Sequence, residues 1–127
     1  MSAIHQEWRS PFFALNNAGP GTYTSADQAN YQDRGLKIYV TPSGIVGGAT
    51  LTITIQGKDP ISGNYFTVLT SAALSANNVT TVLTVYPSVT AATNVAVSDV
   101  LPTIWRISAA VGGAGSLSAT FGGARLQ

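Results

Sequence analysis

The chain has 127 residues, of which 45% are hydrophobic and only 9% charged, with a net charge of +1 and no cysteine. The length fits one domain with a two-layer core, and the charge balance excludes the strong basic field of a nucleic-acid binder. The missing thiols exclude disulfides, thiolate metal sites and cysteine nucleophiles.

Ordinary soluble domains carry roughly 25% charged residues. A surface built instead from Thr, Ser, Asn, Gly and Ala suits a protein packed into a larger assembly. No apolar run approaches the ~20 residues that span a bilayer, and residues 1–10 are polar with no apolar stretch of signal-peptide length after them. The expectation is therefore a chain made in a cytoplasm, with no membrane partner and no nucleic-acid partner.

Residues 1–33 show no sustained period. Pro11 and the run Asn16-Asn17-Ala18-Gly19-Pro20-Gly21 are loop signals, yet Trp8, Phe12, Phe13, Leu15, Tyr23 and Tyr31 lie among them. Aromatic groups without a periodic element of their own need a surface to cover them. The segment is read as an irregular N-terminal arm whose Trp8, Phe12, Phe13, Tyr23 and Tyr31 bind a partner. In the competing reading, 12–15 and 22–24 are short first strands of the fold.

From residue 34 the pattern is regular, and residues 34–127 are read as the folded domain. Leu36, Ile38 and Val40 alternate with Lys37, Tyr39 and Thr41, a strand expected to stop at Pro42-Ser43-Gly44. Leu51, Ile53 and Ile55 alternate with threonines and Gln56, and a second run follows at 65–70. Between them, Asp59-Pro60 and Ser62-Gly63-Asn64 supply turn chemistry, so the two runs should pair as an antiparallel hairpin. Asn77-Asn78 is a turn before a strand that places Val79, Thr81, Leu83 and Val85 on one face. Residues 88–100 form a long connection with room for one helical turn. Trp105, Ile107, Ala109 and Val111 then share a face, with Arg106 on the other. Gly112 to Gly115 close a hairpin to Leu117, Ala119 and Phe121, and Gly122-Gly123 is expected to end that strand.

Short strands separated by turn signals, with no amphipathic helix, point to an all-β antiparallel sandwich, Ig-like or jelly-roll-like. Its expected core is Leu36, Ile38, Val40, Leu51, Ile53, Ile55, Leu83, Val85, Trp105, Ile107, Leu117 and Phe121.

The chemistry-bearing residues point to no reaction. His5 is the lone histidine, too few for a zinc site or for a triad with any choice of base. The acids Glu7, Asp27, Asp33, Asp59 and Asp99 are scattered, and Asp59 before Pro60 reads as a turn former. The glycine clusters lack the following helix and the spacing of phosphate loops. Trp8, Tyr39, Tyr65 and Tyr86 offer aromatic platforms of the kind that bind sugars. No catalytic residue, metal ligand or cofactor is expected.

The strand start Arg34-Gly35-Leu36, the hairpin Ile55-Gln56-Gly57-Lys58-Asp59-Pro60 through Gly63-Asn64-Tyr65, Val85-Tyr86-Pro87, and Leu101-Pro102 through Trp105-Arg106-Ile107 carry a resemblance. Over residues 34–121 the chain resembles small structural proteins of tailed bacteriophages, being similar to head-decoration or cement subunits and to other virion β-domains. The resemblance implies a non-enzymatic virion protein on the outer surface of the capsid. Its partners would be the major capsid protein and copies of itself, as a cyclic homo-oligomer with a trimer favoured. A tail- or fibre-associated adhesion domain that binds a host-surface glycan is the alternative.

Overall fold

The computed structural model describes the backbone of residues 5–126 and the side chains of residues 13–126. Among the described residues ten strands follow one another without a helix: β1 (His5–Ala18), β2 (Gly21–Thr24), β3 (Gln28–Ala29), β4 (Gly35–Val46), β5 (Thr50–Lys58), β6 (Tyr65–Thr70), β7 (Thr81–Val85), β8 (Ala96–Val97), β9 (Ile104–Gly112) and β10 (Ser116–Leu126). They form two sheets, β1-β10-β4-β7-β8 and β2-β9-β5-β6, with β3 also on β9. Every pairing is antiparallel except the two-residue contact of β8 with β7. The protein is a β-sandwich.

Alternation explains the layers. The twelve expected core residues are the twelve largest fully buried side chains, from Trp105 and Phe121 to Val40 and Val85. Along β5 the buried positions are Leu51, Ile53, Ile55 and Gly57, and the half-buried ones between them are polar. Burying each aliphatic side chain is worth about 1.5–3 kcal/mol, and this single layer holds the sheets together. The β5–β6 hairpin forms as expected, from Thr54↔Thr70 to Lys58↔Tyr65, with one bulge after Ile55.

The N-terminal segment differs from the expectation of an irregular arm. Residues 5–18 pair along β10, and β2 and β3 pair with β9, so the fold does not begin at residue 34. Leu15 and Ala18 are buried, and the Phe13 ring lies 5.0 Å from that of Phe121. The physical reason is that β10 would otherwise present a bare edge and an uncovered Phe121. The register shift between Trp8 and Phe13, which spans Pro11, breaks the alternation and hid the strand from a periodicity reading.

Other boundaries also moved. β4 continues through Pro42 to Val46. The Pro42 carbonyl accepts the Asn78 N–H at 2.7 Å on the side away from β10, so the missing proline N–H falls outside the β10 ladder. Gly122 and Gly123 lie inside β10, opposite Tyr39 and Ile38, and do not end it. Residues 88–100 hold no helical turn; they carry β8. Val79 precedes β7 and is 55% exposed, off the buried face assigned to it.

Two serines finish the second sheet by the same device. Ser25 and Ser71 are buried where β2 and β6 leave the ladder. Each keeps its backbone N–H on the neighbouring strand, donating to Ile107 O at 2.9 Å and Ile53 O at 2.7 Å. Their hydroxyls accept the N–H groups of Ile107 and Ile53, both at 2.9 Å, in place of a strand carbonyl. Both hydroxyls then donate to the next carbonyl, Ala26 O and Ala72 O. The tripeptide Thr-Ser-Ala occurs at both places.

The direction of the strands positions everything that follows. β1, β4, β6 and β9 run from what we term the lower end to the upper end, and β2, β5, β7 and β10 return. The upper connections are residues 19–20, 47–49, 71–80 and 113–115; the lower ones are 30–34, 59–64, 86–95 and 98–103.

Candidate functional site

The topology sorts charge. Asp33 and Arg34 lie in the lower connection before β4, Asp59 in that after β5, and Asp99 in that before β9. Lys58 ends β5, Arg125 is next to last in β10, and Lys37 and Arg106 are the third residues of strands that start at the lower end. Asp27 immediately precedes β3, at the β9 start, and the backbone of Glu7 pairs with Ala124 near the same end. The upper half, by contrast, is built from residues 9–24, 38–55, 68–82 and 107–122, whose one charged residue is Arg9, just beyond the Trp8↔Gly123 pair.

At the lower end the charges are knitted together. Lys58 Nζ donates to Asp27 Oδ2 at 3.0 Å and the Tyr65 hydroxyl donates to Asp27 Oδ1 at 2.7 Å. The Arg106 guanidinium stacks on Tyr65 at 3.4 Å from the ring centroid, and its Nε donates to Gln56 Oε1 at 2.8 Å. The β5–β9 and β5–β6 registers place these side chains on one outer face: Gln56 opposite Arg106, Lys58 opposite Tyr65. The Tyr65 hydroxyl and then Lys58 hold the Asp27 carboxyl below its ordinary range, while Asp27 raises Lys58. Asp59 is also lowered, first by the Ile61 N–H and then by the Ser62 hydroxyl, within the turn expected of it.

The upper end is uncharged and made of small groups. Gly47 and Gly48 take φ of 66° and 74° and Gly113 takes 82°, so the connections from β4 to β5 and from β9 to β10 turn tightly. Both pass between the sheets, and the hairpin expected at Gly112 to Gly115 does not form, because β10 pairs with β1 and β4 instead of β9. A Cβ on Gly115 would collide with Val46 O, and one on Gly113 with Gly48 O, so the two connections fit against each other only as glycines. Val46 and Val79 are 58% and 55% exposed there. A shallow hollow of about 150 Å³ beside Val79 is lined by Ala73, Leu74, Ser75, Ala76 and Thr81. Ile45 N–H donates to Asn77 Oδ1 at 2.9 Å, which holds the 71–80 connection onto the end of β4.

Below this end, the outer face of the second sheet continues without charge. The registers align Thr22 with Ala110 and Thr52, and Thr24 with Ser108, Thr54 and Thr70.

Of the five residues assigned to partner binding, three have described side chains, and these three lie in different parts of the fold. Trp8 and Phe12 have side chains outside the described residues. Phe13 packs on Phe121 and belongs to the core rim. Tyr23 packs against the core and its hydroxyl donates to Gly19 O at 2.8 Å, pinning the corner where the chain passes between sheets. Tyr31 stands 93% exposed in a lower connection. As for sugar platforms, the Tyr65 ring is stacked under Arg106, and Tyr39 is half-buried between β10 and β7. Among the described residues, no group of three or more His, Asp or Glu could hold a metal ion, and no helix is long and apolar enough to cross a membrane.

Sequence reasoning missed Val46, Val79 and the upper end as a unit. The signal was present as gaps between charges, at 38–57 and 107–124. It becomes spatial only once the strand directions are known. Comparison with protein-family models, with curated proteins and with solved structures finds no match.

Proposed function

We propose that the chain is a non-enzymatic structural subunit of a tailed-phage virion, a decoration or cement protein on the outer surface of the head shell. Its partners on this reading are the major capsid protein and further copies of itself in a cyclic oligomer. The observation that carries the assembly reading is the sorting of charge: a subunit that meets its neighbouring copies through an uncharged end keeps its ionic groups in water there and avoids the several kcal/mol that desolvating each ion costs. The resemblance of residues 34–121 to small phage structural proteins supplies the virion context.

The mechanism is linkage. A ligand that binds the assembled lattice and not its separated parts stabilises the lattice by RT ln(1 + [L]/Kd) per site. Repetition over many equivalent sites multiplies the effect. Purified protein mixed with empty phage heads should co-sediment with them and raise their disruption temperature, and should leave host cells unlabelled. Binding to cells with none to heads would overturn the proposal in favour of a glycan-binding adhesion domain.

A further inference from the structure

Closed symmetric assemblies impose a chemical condition on the surface where copies meet. Near the axis each residue faces its own counterpart, so a charged side chain there meets its own sign. Such juxtapositions cost several kcal/mol. The lower end of this sandwich, with Asp33, Arg34, Asp59 and Asp99 in its connections, is ill suited to self-contact. At the upper end, the four connections and the strand termini beside them contain no charge among the described residues.

The upper end also has relief that a copy can fill. Val46 and Val79 project at 58% and 55% exposure, and a hollow of about 150 Å³ lies beside Val79. The glycine contacts between residues 47–48 and 113–115 close the platform, since the two connections between the sheets touch backbone to backbone there.

Area decides how much of the molecule must take part. At the upper end three strands of each sheet, β1, β10 and β4 over β2, β9 and β5, are flanked by the 71–80 connection, and with strands about 4.8 Å apart and sheets about 10 Å apart they present roughly 400 Å². Stable interfaces bury about 800 Å² per partner. The end alone is about half of that. The adjoining threonine face across β2, β9 and β5 adds roughly 250 Å², and it is charge-free as well. Burying Thr and Ser hydroxyls against matching hydroxyls is far less costly than burying ions.

We infer that the uncharged upper end, with the Thr22/Thr52/Ser108 face below it, is a self-association surface whose occupant is a second copy of this chain. This deepens the assembly reading by naming the face on which copies meet. The lower, charged ends then point outward from the oligomer.

The test is the molar mass of the full chain in solution by analytical ultracentrifugation, without any virion component. The wild type should give a concentration-dependent oligomer. Val46→Lys and Val79→Lys place a cation against its own copy and should weaken association at least about tenfold each. At dilutions where the wild type is itself monomeric, their thermal midpoints should stay within about 2 °C of wild type, because both side chains are exposed. Ile61→Lys, at the 93% exposed lower hairpin, should associate like wild type. A strictly monomeric wild type, or Val46→Lys and Val79→Lys oligomers as tight as wild type, overturns the inference. Head co-sedimentation separates this from the functional reading. A monomer that still co-sediments removes only the self-association face, whereas an oligomer that ignores heads removes only the virion assignment.

Discussion

Replacing Ser25 or Ser71 by alanine removes one oxygen from the molecule and strands one buried donor. The Ile107 N–H has only the Ser25 hydroxyl in front of it at the point where β2 leaves the ladder, and the Ile53 N–H is in the same position relative to Ser71. Both isoleucines are fully buried, so water does not reach these amides in place of the hydroxyl. The carbonyls that lose a donor, Ala26 O and Ala72 O, belong to exposed residues and recover a bond from solvent. The loss is therefore the desolvation penalty of a single N–H, about 1–3 kcal/mol at each site. For a domain of this size 1 kcal/mol corresponds to about 4 °C in Tm, so each variant should melt about 4–12 °C below wild type. Urea unfolding should give the same difference with an unchanged slope, since the surface exposed on unfolding is the same. The two sites act on neighbouring strands but share no partner, so the double variant should lose the sum within about 0.5 kcal/mol. Thr120→Ala, on an exposed position of β10, is the control. If Ser25→Ala and Ser71→Ala lose no more than the ~0.5 kcal/mol typical of a surface substitution, the hydroxyls are not standing in for strand carbonyls and the reasoning fails.

Three further expectations follow from the same contacts. Asn30 is buried; its amide nitrogen donates to Asp33 O at 2.8 Å and Leu101 O at 3.1 Å, and its oxygen accepts the Asp33 N–H at 2.9 Å. Asn30→Asp turns that donor edge toward two carbonyls as an acceptor and should cost more in urea unfolding than Asn30→Ala; equal costs would mean the polar contacts are immaterial. Leu15→Ala should lose about 2–5 kcal/mol and Tyr31→Ala under about 0.5 kcal/mol, because Leu15 is 5% and Tyr31 93% exposed; a harmless Leu15→Ala would restore the reading of the N-terminal segment as a detachable arm. Asp27 and Asp59 have lowered folded values, so their contribution is present above the ordinary carboxylate range and is lost as pH falls through those lowered values. Stability should accordingly decline below about pH 4. Asp27→Asn should show a shallower decline in acid melts, and an unchanged pH profile would refute the Tyr65 and Lys58 contacts.

The alternation of apolar and polar residues in 36–40, 51–55, 105–111 and 117–121 is a local property, because a strand's side chains point to opposite faces whatever the strand pairs with. For that reason the sandwich, its twelve-residue core and the β5–β6 hairpin were legible in the sequence. The turn at Asp59 was legible too, since its carboxylate bonds within its own loop. The first strand was not: its period is broken by the register shift spanning Pro11, and what makes it a strand is the edge of β10, more than a hundred residues away in the chain. Ser25 and Ser71 look like any surface serines until the neighbouring strand brings an isoleucine N–H to each hydroxyl. The candidate surface is the extreme case. Composition alone records few charges, and spacing records that they come in clusters with long gaps. Only the up-and-down course of the strands leaves the upper connections free of charge and gathers most of the charges at the other end, because position along a folded axis is a sum over strand directions that no local window contains.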